Sequence, residues 1–187
     1  MIKLFKAVIL ALNILVSTVS FNPNAYSLID YSHSSNLAID LAAYIDKVPD
    51  SVLDILKEEG YSISLSEQPG SAYGVKYIDG ITDTTQNLII VKNYKGKFRK
   101  SVIHEIGHAV DDCLDFPSKS ESFNSIYEDE KEQIIVTGVV NPSYCKQSSQ
   151  EYFAEAFQMY IYNPEVLKSS VPKTYSFIDK MMAEIER

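Results

Sequence analysis

The stretch Ser101–Asp112, SVIHEIGHAVDD, constrains this chain more than any other. It holds two of the three histidines of the sequence, His104 and His108, with Glu105 between them. Residues four apart share one face of an α-helix, so the spacing predicts a helix on which both imidazoles reach a single metal ion. Glu105 is rotated by about 100° from His104, beside such an ion rather than on it. Val102, Ile106, Ala109 and Cys113 make up the opposite, core-facing side. His-Glu-x-x-His is the zinc-peptidase spacing. Neutral imidazoles hold Zn²⁺ with a position open for water, the ion acidifies that water, and the glutamate takes its proton.

A catalytic zinc needs a third protein ligand. His33, in a Ser-rich stretch, has no ligand spacing and reads as a solvated bystander. A carboxylate must then serve, and SSQEYFAEAFQMYIY offers two at i and i+4, Glu151 and Glu155. This second amphipathic helix is otherwise lined by Phe153, Phe157, Tyr160 and Ile161. Acids on so apolar a helix are costly unless paired or metal-bound.

The remainder predicts an α+β fold: a helical start, a small sheet, then a mostly helical C-terminal half. Residues 35–59 read as helix with a break at Pro49 and a stop at Gly60. YSISLS, VKYIDG and NLIIVKN read as three short strands. The last is either an exposed edge on which a substrate adds as a strand or an interior strand. Helices are expected over about 98–114, 119–132, 149–162 and from 173 to the end. Gly107 costs roughly 1 kcal/mol in a helix interior, which a close crossing by the second helix would explain. Asp111 and Asp112 can each either brace an imidazole or sit as solvated charges at the helix end.

The N-terminus reads separately. Lys3 and Lys6, an apolar run from Ala7 to about Phe21, and the small-x-small triplet Ala25-Tyr26-Ser27 have the order of a secretory signal. The run is short for a spanning helix and holds Asn13, so cleavage near residues 26–28 is expected, leaving a single domain over 28–187, secreted and with no stable membrane insertion. At 187 residues the chain can bury a core without metal or disulfide staples. Cys113 and Cys145 can either pair or stay free. A net charge of −8 and pI near 4.9 argue against nucleic acid as a partner, and the basic run from Lys92 to Lys100 reads as a solvated connection.

HEIGHAVDD, EYFAEAF and VPKTYSFIDK, in that order, resemble the catalytic domain of anthrax lethal factor and the secreted Pro-Pro endopeptidases, over roughly residues 89–180. The resemblance implies a zincin-like metallopeptidase, monomeric, acting on protein or peptide substrates in extended segments that contain proline. It makes His104, His108 and Glu151 the zinc ligands, Glu105 the general base and Glu155 an orienting partner of a ligating imidazole. It also implies that Tyr144, seven residues before Glu151, donates to the oxyanion. The zinc motif itself is closer to the toxin branch. The competing readings are a toxin-type protease acting on host proteins and a non-catalytic binding module. A dead copy would be expected to lose the base or a ligand, yet Glu105, both histidines and Glu151 are all present.

Overall fold

A computed structural model describes residues 23–30, 35–94, 97–98, 101–134 and 141–187. His33, most of the expected signal segment and part of the basic run lie outside these residues. The chain is α+β and zincin-like: a small mixed sheet followed by a mostly helical C-terminal half.

The first helices are α1 (Pro23–Ser27), α2 (Ser35–Ile45) and α3 (Asp50–Glu58). Pro49 separates α2 from α3, because its ring cannot continue a helix. Gly60, at φ +80°, turns the chain into the sheet. Leu37, Leu41, Val52 and Leu56 are buried, as the helical spacing requires.

The sheet comprises β1 (Ser62–Ser66), β2 (Gly80–Asp83), β3 (Leu88–Tyr94) and the two-residue β4 (Lys97–Phe98). Its order is β1-β3-β2, with β3 parallel to β1 and antiparallel to β2, and β4 paired to the end of β3. In β1, Ile63 and Leu65 face the core and the serines face outward. The strand NLIIVKN is therefore interior, not an edge. The outer side of β1 is also engaged: Ile63 N–H donates to Leu28 O (2.7 Å), and Asp30 N–H donates to Ile63 O (2.8 Å). Along the β1-β3-β2 path, the flank left without a strand partner among the described residues is that of β2.

Several elements differ from expectation, among them the helices Pro142–Cys145 and Pro164–Ser170, which were not expected. VKYIDG does not form the expected strand, because Tyr77 takes a left-handed φ of +63° and Val75 N–H turns back to Gly70 O (3.0 Å); the second strand is Gly80–Asp83, which shares only Gly80 with it. The zinc-motif helix, α4 (Val102–Cys113), starts later than Phe98, which is drawn into β4.

The remaining helices are α5 (Glu121–Glu130), α6 (Pro142–Cys145), α7 (Ser149–Tyr162), α8 (Pro164–Ser170) and α9 (Pro172–Ile185). Each of α6, α8 and α9 starts on a proline, where the missing N–H costs nothing. Phe123 packs between Phe153 and Phe177, with ring centroids 5.5 and 4.8 Å away. Buried Glu130 caps α9 by accepting from Lys173 N–H, Thr174 N–H and the Thr174 hydroxyl at 2.8–2.9 Å. The Thr174 hydroxyl also lies 2.8 Å from the Tyr152 hydroxyl, tying α9 to the start of α7. No helix among the described residues is long and apolar enough to cross a membrane.

Candidate metal centre and active-site cleft

α4 and α7 cross in close contact. A Cβ built on Gly107 would stand 2.9 Å from Ala154 Cα and 3.3 Å from Phe157 Cβ. The mid-helix glycine is thus explained by the crossing, as its position suggested. Ser148 caps α7 by accepting from Glu151 N–H (3.2 Å), which sets Glu151 in the first turn of the helix.

The crossing brings His104, His108 and Glu151 together, one ligand atom of each within 4.8 Å of the others. The two Nε2 atoms are 3.2 Å apart. Glu151 Oε2 lies 3.2 Å from His104 Nε2, and Oε1 lies 3.6 Å from His108 Nε2. On the far side of the ring, His104 Nδ1 is 3.4 Å from Glu155 Oε1. Two imidazoles and a carboxylate form a donor set that suits zinc, and Glu151 Oε2 is buried without a hydrogen bond of its own. The electrostatics point the same way. Burial works to lower the pKa of His104, but Glu151 and Glu155 outweigh it and push it up to about 10. Burial works to raise Glu151, yet the two imidazoles pull it down to about 2. The cluster favours positive charge at its centre.

Glu105 is 6% exposed and lines the same cleft as this trio, with its carboxylate against β2. The Thr82 hydroxyl lies 2.9 Å from both Glu105 Oε2 and Glu105 O. Oε1 lies against Gly80, where a Cβ would approach it to 2.6 Å. Burial raises the Glu105 carboxyl, against the opposing pull of His104, His108 and Thr82. Neither Gly80 nor Thr82 stood out in the sequence. Thr82 precedes Glu105 by 23 residues, and only the pairing of β2 with β3 brings them together.

Tyr144, in α6, is 37% exposed with its ring edge-on to His104, centroids 6.2 Å apart. Burial, then the nearby carboxylates Glu151 and Glu105, raise its phenol, so it keeps its proton. Asn141 holds α6 in place by accepting from Ser143 N–H (3.0 Å). These groups share a cleft of about 480 Å³ whose walls include Ile78, Gly80, Thr82, Phe116 and Tyr144. A neighbouring cavity of about 530 Å³ shares Val75 and Ile78 with it.

Other sequence candidates have structural employment. Asp111 braces no imidazole: its carboxylate accepts from Ser118 N–H (2.9 Å) and the Ser118 hydroxyl (2.5 Å). Asp112 accepts from the Tyr61 hydroxyl (2.6 Å). Cys113 and Cys145 are free thiols, each pushed up to about 12 by burial and neighbouring carboxylates.

The sequence matches the family profile "Anthrax toxin lethal factor, N- and C-terminal domain" over residues 71–181. It is 31% identical, over 180 residues, to a Pro-Pro endopeptidase of Paenibacillus alvei, covering 82% of this chain and 80% of that one. Its fold is similar to the solved structure of the Pro-Pro endopeptidase PPEP-2 from Paenibacillus alvei, with a TM-score of 0.66 and 25% identity. That likeness spans 84% of this chain and 99% of the other.

Proposed function

The chain belongs to the anthrax toxin lethal factor family, and from that premise we propose that it is a secreted zinc metalloendopeptidase that cuts extended, proline-containing peptide segments. The observation that carries this reading is the convergence of His104, His108 and Glu151 beside the buried carboxylate of Glu105. His104 and His108 would hold the ion through Nε2 and Glu151 through its carboxylate. Bound there, zinc supplies a Lewis acid that acidifies water and polarises a carbonyl.

The chain's own residues do the rest. Glu105 accepts the proton of the attacking water and returns it to the leaving amine. The Thr82 contact at Oε2 leaves Oε1 for that transfer. The Tyr144 phenol donates a hydrogen bond to the negative charge growing on the scissile carbonyl oxygen. Glu155 orients His104 from the Nδ1 side. The substrate lies as an added strand along β2, the flank next to Glu105, with main-chain hydrogen bonds giving affinity. The proline preference rests on the relatives named Pro-Pro endopeptidase. Export rests on the basic, apolar and small-residue order of residues 1–27.

The test is a peptide library spanning Pro-Pro, Pro-Ala, Ala-Pro and Ala-Ala at the central bond, read by mass spectrometry against the Glu105→Gln variant. Cleavage confined to proline-containing peptides and absent from the variant is expected. Equal cleavage of all four would remove the proline preference, and equal cleavage by the variant would remove the mechanism.

A further inference from the structure

The turn that follows α4 is strained in a way that helix termination does not require. Asp115 and Phe116 take successive left-handed conformations, φ +59° and +57°. A helix C-terminus ordinarily assigns one such position, to glycine. Non-glycine residues hold the conformation only where the surroundings enforce it, and such sites cluster where ligands are gripped. Enforcement here is extensive. Phe116 N–H donates to Asp111 O (2.7 Å), and Lys119 N–H donates to Phe116 O (2.9 Å). The buried Asp111 carboxylate clamps Ser118 through both backbone and hydroxyl. The result is that Phe116 and Lys119 form part of the wall of the cleft that contains Glu105 and His108. The Lys119 ammonium rests 3.4 Å from the centre of the Phe116 ring.

The charges of that wall differ in how they are used. Glu105 is bonded by Thr82, Asp111 by Ser118, and Glu151 sits among the imidazoles. Lys119 is the one lysine or arginine on the wall among the described residues. No carboxylate among them lies within ion-pair distance of it. An exposed ammonium seated on an aromatic face is held in one place at little entropic cost. We infer that Phe116 and Lys119 form a subsite for an acidic substrate side chain, on the His108 side of the cleft. The ring packs on the aliphatic part of that side chain, and the ammonium meets its carboxylate.

This inference rests on the peptidase reading, and the experiment separates the two. Peptides with a common proline-containing core carry Glu, Gln or Lys at each of the four positions on either side of the cleaved bond. The zinc-loaded parent, Lys119→Glu, Lys119→Met and Phe116→Leu are compared by kcat/KM, with zinc content and unfolding midpoint measured on each. At a single position, the parent should favour Glu over Lys by roughly fivefold, the upper range for an exposed pair. The ratio should invert in Lys119→Glu, flatten in Lys119→Met and weaken in Phe116→Leu, while zinc content and midpoint of the Lys119 variants stay parental. High salt should shrink the parental ratio, since the screening length falls to about 3 Å at 1 M. A parent that cuts every peptide with the same charge profile as Lys119→Glu overturns the subsite and leaves the peptidase standing. A parent that cuts none of them removes the peptidase reading and the subsite together.

Discussion

Gly107 and Ala154 meet so closely that a methyl group on the glycine would stand 2.9 Å from the Cα of its neighbour. That contact sets the separation of α4 and α7, and with it the distance from the histidine pair to Glu151. Gly107→Ala removes a helix penalty of roughly 1 kcal/mol but forces the two backbones apart, and overpacking of this kind costs typically about 1–3 kcal/mol. Because the strain falls between the proposed ligands, zinc affinity should drop by at least tenfold, with a lowered unfolding midpoint. Competition with a chromophoric chelator and a thermal melt check both. Parental affinity would show that the crossing does not govern the site.

The proposed ligand set separates by degree. Glu151→Ala should weaken zinc binding more than Glu155→Gln does. For the latter, loss of the anionic partner of His104 Nδ1 should cost about 10–100-fold. Chelation of the parent should lower its unfolding midpoint. An ion at a thousand times its Kd contributes about 4 kcal/mol through mass action on the folded state. Chelator-insensitive melting, or parental affinity in Glu151→Ala, would refute the ligand assignment.

The sequence made the trio legible because each half of it is local. His104 with His108, and Glu151 with Glu155, are i,i+4 pairs on helices whose apolar faces announce them. Ser149–Tyr162 was read from that pattern to the residue. The supports of Glu105 were not legible, because Gly80 and Thr82 reach it through strand pairing between segments with no shared periodicity. The turn at Asp115 and Phe116 was hidden for another reason. Its left-handed residues are not glycines, and what enforces them is a buried Asp111 that reads equally well as a helix-end charge. NLIIVKN looked the same whether edge or interior, since its β-branched residues suit either place, and only Gly80–Asp83 on one side and Ser62–Ser66 on the other decide it.

Removing the Thr82 hydroxyl should separate positioning from folding. Thr82→Val keeps the shape and the β-branched strand preference but frees Glu105 Oε2. We expect kcat to fall about tenfold with KM and zinc content unchanged, since a group holding the base acts in the transition state rather than in binding. Thr82→Ser should restore most of the rate. A loss of rate in Thr82→Ser equal to that in Thr82→Val would mean that the methyl group, not the hydroxyl, matters.

Export and folding meet at Leu28. Secreted material is expected to begin at residues 26–28, as N-terminal sequencing can check, and an intact Met1 on membrane-bound protein would refute cleavage. Leu28 and Ile29 are buried, and Leu28 O and Asp30 N–H bond to Ile63. A protein starting at Ser32 loses two apolar side chains worth roughly 1.5–3 kcal/mol each, together with that strand contact. Its unfolding midpoint should fall well below that of a protein starting at Leu28, and equal midpoints would show that the segment contributes nothing.

Glu105 and Tyr144 should serve chemistry rather than metal binding. Glu105 stands beside the proposed ligand trio, hydrogen-bonded to Thr82 and not to either imidazole. Its amide analogue cannot accept a proton, so Glu105→Gln should lose nearly all turnover. Tyr144 presents a protonated phenol at the rim, edge-on to His104. A donor aimed at developing oxyanion charge is worth about 10²- to 10³-fold in rate, so Tyr144→Phe should lower kcat by that amount. Both substitutions are nearly isosteric, so zinc stoichiometry and the unfolding midpoint should stay parental. Peptide affinity, measured on zinc-loaded protein by calorimetry with an uncleavable analogue, should change little, which places the loss in the transition state. The measurement that decides is kcat beside zinc content for each variant. If Tyr144→Phe turns over at the parental rate with full zinc, the phenol has no catalytic role. The short helix Pro142–Cys145 then only closes the rim of the cleft.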